Sequence, residues 1–349
     1  MNITRPTLII NTERVRNNIR KMAEKAESHN LSFRPHFKTH QSAEIGEIYK
    51  SFGINSCTVS SVEMAEYFAE NGWNDITIAF PFNKLEIDNI NELVKKIKLN
   101  LLAVDAESIE FLKQNLKAET GIFIEIDTGY NRTGIDAGDY TEISNILNKI
   151  SKPLIFKGFL THSGNTYTAK SKADIIQIQE STLKKMQNLQ TEFSYHNPMI
   201  SIGDTPSCRL AENFGCADEI RPGNFVYYDV MQNNLGVCSI DEIAVLLSCP
   251  VVDKNADRSE VVIHGGAVHL SKEYILNFDG SKNFGLVSFG LDFSEPIPHT
   301  FVSSVSQEHG IIQTNPKIFE QIQIGDILGI YPIHSCLTSN LMKHKTILR

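Results

Sequence analysis

The amino-acid sequence predicts an α/β fold, a (β/α)8 TIM barrel followed by a mostly antiparallel β domain, and three observations predict it. Short apolar or β-branched runs alternate with segments of helical spacing from about residue 33 to residue 225, giving eight strand-helix units. From about residue 243 the strand-like runs continue while comparable helical segments disappear. The chain has 349 residues, 41% of them hydrophobic, which is enough for one large domain and a smaller one.

Taken in order, the first helix is expected over residues 13–29. Val15, Ile19, Met22, Ala23 and Ala26 recur there at helical spacing, and Asn11 or Thr12 is placed to cap it. Barrel strands are expected near Phe33 and over residues 56–59, 75–79, 101–104, 122–127, 155–161, 199–202 and 218–225. Helices over residues 43–52, 62–71, 84–97, 106–116, 140–150 and 172–193 connect them. In the second part, strands are expected over residues 243–252, 259–264, 286–289, 301–305, 310–313 and 327–331, and residues 277–284 read as a surface loop. This places the barrel at residues 12–241 and the β domain at residues 242–349.

The formal net charge of −8 and the lack of a long Lys/Arg run speak against nucleic acid or an anionic membrane as partner. The start, Met1-Asn2-Ile3-Thr4-Arg5-Pro6, has no basic segment leading into an apolar stretch, and no run of about 18 apolar residues occurs anywhere. A cytoplasmic protein with a small-molecule partner is expected. The six cysteines, Cys57, Cys208, Cys216, Cys238, Cys249 and Cys336, are scattered and do not form a disulfide framework; most are expected to be buried thiols.

In such a barrel, chemistry concentrates in the loops after the C-terminal ends of the strands. The first strand runs into Phe33-Arg34-Pro35-His36-Phe37-Lys38-Thr39-His40, where cations flank an imidazole pair. Positive neighbours depress a lysine pKa, which makes Lys38 a candidate Schiff-base nucleophile toward an aldehyde such as pyridoxal; a solvated basic turn is the alternative. After the fifth strand, Glu125-Ile126-Asp127-Thr128-Gly129-Tyr130-Asn131-Arg132 sets Arg132 either toward a cofactor or in a salt bridge with Asp127. The sixth strand ends at Thr161-His162-Ser163-Gly164-Asn165-Thr166-Tyr167, which offers His162 and Tyr167 to line a pocket. The segments Ser201-Ile202-Gly203-Asp204-Thr205-Pro206-Ser207 and Arg221-Pro222-Gly223-Asn224 follow the last two strands and suit a phosphate. Near the C-terminus, Tyr331-Pro332-Ile333-His334-Ser335-Cys336 puts His334 and Cys336 two residues apart in what reads as an extended segment, so that both face one side. Zinc accepts that pair, and two protein ligands leave positions open for water and substrate; a structural H-x-C is the alternative.

Together these segments, with the opening Thr7-Leu8-Ile9-Ile10, Glu219 through Asn224 with Tyr228-Asp229, Glu308-His309-Gly310 and Gly325-Asp326, make the chain resemble the D-serine dehydratase and D-threonine aldolase family. That family has an alanine racemase-like fold and belongs to the fold-type III pyridoxal-phosphate enzymes. The resemblance implies that Lys38 carries pyridoxal 5'-phosphate as a Schiff base, that Tyr167, Thr205, Gly223 and Asn224 hold its phosphate end, that Arg132 lies by its ring, and that His334 and Cys336 bind Zn2+. It also implies a homodimer, with a strand in residues 1–11 joining the C-terminal β domain. The segment Ile263-His264-Gly265-Gly266-Ala267-Val268-His269 and the Gly203-Asp204-Thr205 turn depart from the forms expected of that family.

The implied reaction starts from a D-configured β-hydroxy amino acid. Loss of the α-proton to Lys38 and of the β-hydroxyl to zinc gives pyruvate and ammonia from D-serine, whereas cleavage of the Cα–Cβ bond is D-threonine aldolase chemistry. The thiolate of Cys336 favours the dehydratase, since aldolases of the family often place a carboxylate there. An amino acid racemase, which needs neither His334 nor Cys336, and a non-catalytic pyridoxal-phosphate carrier are readings of other classes.

Overall fold

A computed structural model describes residues 3–349 of the chain. The chain forms two compact units: one comprises Arg20–Lys38 and Ser42–Gly223, the other the residues up to Ile19, Thr39–Gln41 and Asn224–Arg349.

The first unit is the barrel. Its strands are β1 (Ser32–Phe33), β2 (Cys57–Val59), β3 (Asp75–Pro81), β4 (Lys98–Ala103), β5 (Thr120–Asp127), β6 (Leu154–Leu160), β7 (Met199–Ile202) and β8 (Glu219–Ile220). From β2 to β8 each pairs in parallel with its sequence neighbour, and β8 pairs with β1. The last seam, between β1 and β2, is closed by a parallel bridge from His36 to Thr58, with Phe37 N–H donating to the Thr58 carbonyl (2.8 Å) and Thr58 N–H to that of Pro35 (2.9 Å).

The strands read as continuous apolar runs because parallel strands are covered on both faces: Ile122, Phe123, Ile124 and Ile126 of β5 are all buried. Leu102, Phe123 and Leu160 form a buried cluster from three adjacent strands, against which Met199 packs. Gly158 allows the closest approach, since a Cβ there would meet the Met199 carbonyl oxygen at 1.9 Å, and its φ of +148 is open only to glycine.

Helix starts follow a common rule. Ser42, Ser61, Asp105, Asp139, Ser171 and Asp204 each accept the N–H of the residue three positions on, at the head of Ala43–Lys50, Val62–Glu70, Ala106–Asn115, Tyr140–Lys149, Lys172–Glu192 and Thr205–Leu210.

In the second unit, six strands close an antiparallel barrel: Val245–Asn255, Glu260–His264, His309–Gln313, Phe301–Val305, Gly285–Phe289 and Ile327–Pro332, which returns to the first. Thr7–Ile10 extends it, antiparallel to Val245–Ser248 and parallel to Thr346–Leu348.

Three local expectations are corrected. The strand expected over 218–225 ends at Ile220, because Pro222 has no N–H for a ladder and Asn224–Val226 turns into a 3-10 helix. The loop expected at 277–284 lies partly in a two-stranded ribbon, Ile275–Leu276 with Lys282–Asn283. His334 to Cys336 is not extended throughout: His334 is the N-cap of helix Ser335–Met342. Among the described residues no helix is long and apolar enough to cross a membrane.

Phe37, fully buried, lies against Tyr49, Phe68 and Trp73 at ring separations of 5.0, 4.9 and 4.7 Å, so the residue preceding Lys38 is held by an aromatic cluster. Phe37→Ala is expected to lower stability by about 3–5 kcal/mol in denaturant titrations. Leu85→Ala, at a 92% exposed position, should stay within about 0.5 kcal/mol of the parent.

Candidate active site

Lys38 follows the β1–β2 seam, half-buried, with its backbone N–H 3.4 Å from His36 Nδ1. The expected crowd of cations around it is thinner than the sequence reads. Arg34 is committed to two carboxylates, Glu219 on β8 and Asp75 on β3, each at 2.7 Å, and its pKa is raised because those partners outweigh burial.

The imidazoles beside Lys38 are neutral. Burial, then the charges of Lys38 and Arg221, holds His36 well below the usual range. Burial and the Lys38 charge likewise push His162 down to about 3. His162 Nδ1 lies 2.6 Å from the Gly203 carbonyl oxygen, which can only accept, so the ring proton sits on Nδ1 and the Nε2 lone pair is the open side. Tyr130 and Tyr167 flank this ring at 5.8 and 6.4 Å.

Beneath them Arg221 donates from Nε to Ser201 Oγ (2.7 Å) and from Nη2 to the Thr161 carbonyl (2.6 Å), and burial lowers its pKa to about 10. Glu125 accepts from Thr133 Oγ1 (2.9 Å), has its second oxygen buried without a partner among the described residues, and is raised in pKa by burial. The sequence places Glu125 in the fifth strand as a buried carboxylate and Arg221 in a phosphate-suited segment, and gives neither a role of its own.

Arg132 is exposed, with its guanidinium 5.1 Å from the Tyr130 ring centre, while Asp127 accepts the backbone N–H groups of Gly129, Tyr130 and Asn131 and thereby shapes the loop. Thr205 N–H donates to Tyr167 Oη at 3.4 Å. Asp204 uses Oδ1 to accept Ser207 N–H (2.7 Å) and Thr166 Oγ1–H (3.0 Å). Ser207 Oγ is buried with no partner among the described residues. A Cβ on Gly203 would meet the Arg221 backbone at 3.1 Å, so the loops after β7 and β8 touch. Gly223 ends the second of them.

In the second unit Asp229 organises the C-terminal donors. Its Oδ2 accepts from Asn224 Nδ2 (2.7 Å), Ser335 N–H (2.9 Å) and Ser335 Oγ (3.3 Å), and its Oδ1 from Gln232 N–H (2.9 Å). Cys336 Sγ lies 3.2 Å from Thr39 Oγ1 and 3.5 Å from Asn224 Nδ2. The Asn224 side chain therefore stands with Cys336. Burial pulls the His334 imidazole down, but the Cys336 sulfur, Asp229 and Glu273 outweigh it and push it up to about 9. Asp229 was not singled out by spacing; the signal available was its N-cap position ahead of Val230–Asn234.

Residues 10–230 match the alanine racemase N-terminal domain family. The chain belongs to that family. As an alanine racemase-type chain it continues, over residues 244–348, with a match to the domain family named for serine dehydratase. It is 29% identical to the D-serine dehydratase of Dictyostelium discoideum, over 97% of this chain and 91% of that one. It is 21% identical to the D-threonine aldolase of an Arthrobacter species, over 99% and 89%. The D-threo-3-hydroxyaspartate dehydratase from Delftia sp. HT23 superposes with a TM-score of 0.90 at 23% identity, covering 97% of this chain and 93% of that one.

The buried Asp204 carboxyl, ordinarily near 3.8, is pushed up to about 6 by burial against the opposing hydrogen bonds. Its folded pKa exceeds its unfolded one, so its contribution to stability is intact below pH about 4 and declines by about 3 kcal/mol as pH rises through 6. Asp204→Asn keeps a capping side chain and removes the titration. The difference between parent and variant in unfolding free energy should therefore shift against the parent between pH 4 and 7, measured by denaturant titration at each pH.

Proposed function

We propose that the chain is a pyridoxal-phosphate- and zinc-dependent lyase that dehydrates a small D-β-hydroxy amino acid, D-serine first, to a keto acid and ammonia. The observation that carries this reading is the lysine at the end of the first barrel strand, set among imidazoles whose neutrality its own charge helps to enforce. Kinship along nearly the whole chain to a D-serine dehydratase supports it.

The residues fit the two groups. The unpartnered Ser207 Oγ, the start of helix Thr205–Leu210 and the close approach at Gly203 suit a phosphate after β7 and β8. The imidazole and thiolate of His334 and Cys336 suit zinc, oriented by Asp229 and Asn224. A cysteine-to-alanine variant of a D-threo-3-hydroxyaspartate dehydratase is known in a metal-free form.

When bound, pyridoxal phosphate supplies an electron sink for charge at the substrate Cα, and the metal a Lewis acid for the β-hydroxyl. Lys38 provides the amine that carries the cofactor and, once free, the base for the α-proton. His162 keeps its protonated Nδ1 on Gly203 and presents Nε2, while Arg221 beneath it anchors the ends of β6 and β7 without entering the chemistry. Tyr167, Thr205, Gly223 and Asn224 would hold the phosphate end, and Arg132, whose guanidinium stands over the Tyr130 ring, would face the cofactor ring. A homodimer belongs to the same proposal.

Incubation of purified protein with D-serine and with D-threonine tests the reaction. Pyruvate from D-serine is expected; glycine from D-threonine would establish the aldolase reading instead, and neither product would defeat both. Lys38→Ala should lose the visible absorption band of the bound cofactor. Cys336→Ala should lower turnover at least 100-fold, about 3 kcal/mol of transition-state stabilisation, whereas a racemase would be little affected.

A further inference from the structure

The β domain holds a second group of metal-type donors, distinct in chain position and in chemistry from His334 and Cys336. Ligand atoms of His264, His269 and Glu308 all lie within 4.8 Å of one another. His264 Nε2 is 3.5 Å and His269 Nε2 3.7 Å from Glu308 Oε2. Those separations are too long for well-formed hydrogen bonds. They match a different geometry: metal bonds of about 2.0–2.2 Å set neighbouring ligand atoms of a tetrahedron roughly 3.3–3.6 Å apart.

The imidazole of His269 supplies an independent pointer. It is 4% exposed, and its Nδ1 has no hydrogen-bond partner among the described residues. With Nε2 turned toward Glu308 and Nδ1 unmet, the ring's polar atoms are not satisfied by the protein alone, and it is Nε2 that is placed to take an ion.

The backbone fixes the cluster. His264 ends a strand in register with His309. Gly265 N–H then donates to the Glu308 carbonyl (2.9 Å), Ala267 N–H to that of Ser306 (2.7 Å) and Val268 N–H to that of Gln307 (3.2 Å). A Cβ at Gly266 would meet the carbonyl oxygens of Ser306 and Gln307 at 2.5 Å, so only glycine lets this segment lie on the turn that carries Glu308. Leu270, next to His269, accepts from Thr338 Oγ1 at 3.3 Å on the helix that contains Cys336.

We propose that His264, His269 and Glu308 form a second divalent-metal site that takes zinc or an ion of similar coordination preference. Two imidazoles and one carboxylate leave a fourth position for water or for an anionic group of a ligand. Without thiolate the site is harder than the His334–Cys336 pair and accepts cobalt and manganese more readily.

The test counts metal. Full-length protein is stripped with a chelator, dialysed against excess Zn2+, freed of unbound ion, and its zinc per chain measured by mass spectrometry. Cys336→Ser should keep one zinc per chain, and His264→Ala and Glu308→Gln should each lose one relative to the parent. His264 and Glu308 are partly exposed, so their replacement leaves the fold in place, checked by circular dichroism. With Co2+, Cys336→Ser should keep the visible d–d absorption of tetrahedral cobalt without thiolate-to-metal charge transfer, and adding His264→Ala should abolish it. Parent zinc content in both His264→Ala and Glu308→Gln, or no zinc in Cys336→Ser, overturns the proposal. Failure of the His334–Cys336 reading alone gives a different pattern: Cys336→Ser then equals the parent and His264→Ala loses the only ion.

Discussion

The buried pair of Arg34 and Glu219 is the interaction on which the barrel mouth depends. Strand β1 contributes only two residues to the sheet, and its partner β8 only two. Ladders so short hold little by themselves, and the side chains supply the rest. Arg34 donates to Glu219 on one side and to Asp75 on the other, so one guanidinium ties β1 to β8 and to β3. Glu219 in turn accepts from Ser201 Oγ, which accepts from Arg221 Nε (both 2.7 Å), and the chain of bonds reaches the carbonyl of Thr161 beside His162. Such a network gains little net stability over apolar packing, but leaving any member unpaired in the interior costs several kcal/mol, so the arrangement is held as a unit.

That commitment sets the electrostatics around Lys38. Because the Arg34 charge is matched by carboxylates and Arg221 is turned into hydroxyl and carbonyl oxygens, the positive potential that remains at the mouth comes chiefly from Lys38, with Arg132 and Arg221 adding to it at His36 and His162. Two buried imidazoles facing that potential stay unprotonated. A neutral ring with a fixed tautomer offers a lone pair without a charge, so an anion and an aldehyde can both be accommodated beside it without competition from an imidazolium.

Much of this was legible in the sequence, for physical reasons. The apolar runs of a parallel barrel are unmistakable because both faces are buried, and the helical spacing of Val15, Ile19, Met22 and Ala26 marks the first helix. What escaped were contacts that no periodicity encodes. Asn224 reads as part of a phosphate-suited loop, yet its side chain turns to Asp229 and Cys336. His334 and Cys336 read as strand neighbours, yet a strand-to-helix turn at an N-cap brings them together. Thr39–Gln41 packs with the β domain although it directly follows the barrel's lysine, a division that only long-range contacts decide.

The His264–His269 segment shows the same limit most clearly. A spacing of five residues fits neither one face of a strand nor one face of a helix, so neither pattern groups the two imidazoles. They converge because two consecutive glycines let the chain leave a strand and settle against a neighbouring turn at distances closed to any side chain: a Cβ on Gly265 would meet Cys249 Sγ at 2.4 Å, and one on Gly266 the carbonyls of the 306–307 turn. In the fold the glycines are what make the histidines neighbours, and donor chemistry becomes readable only once the close approach they permit is known.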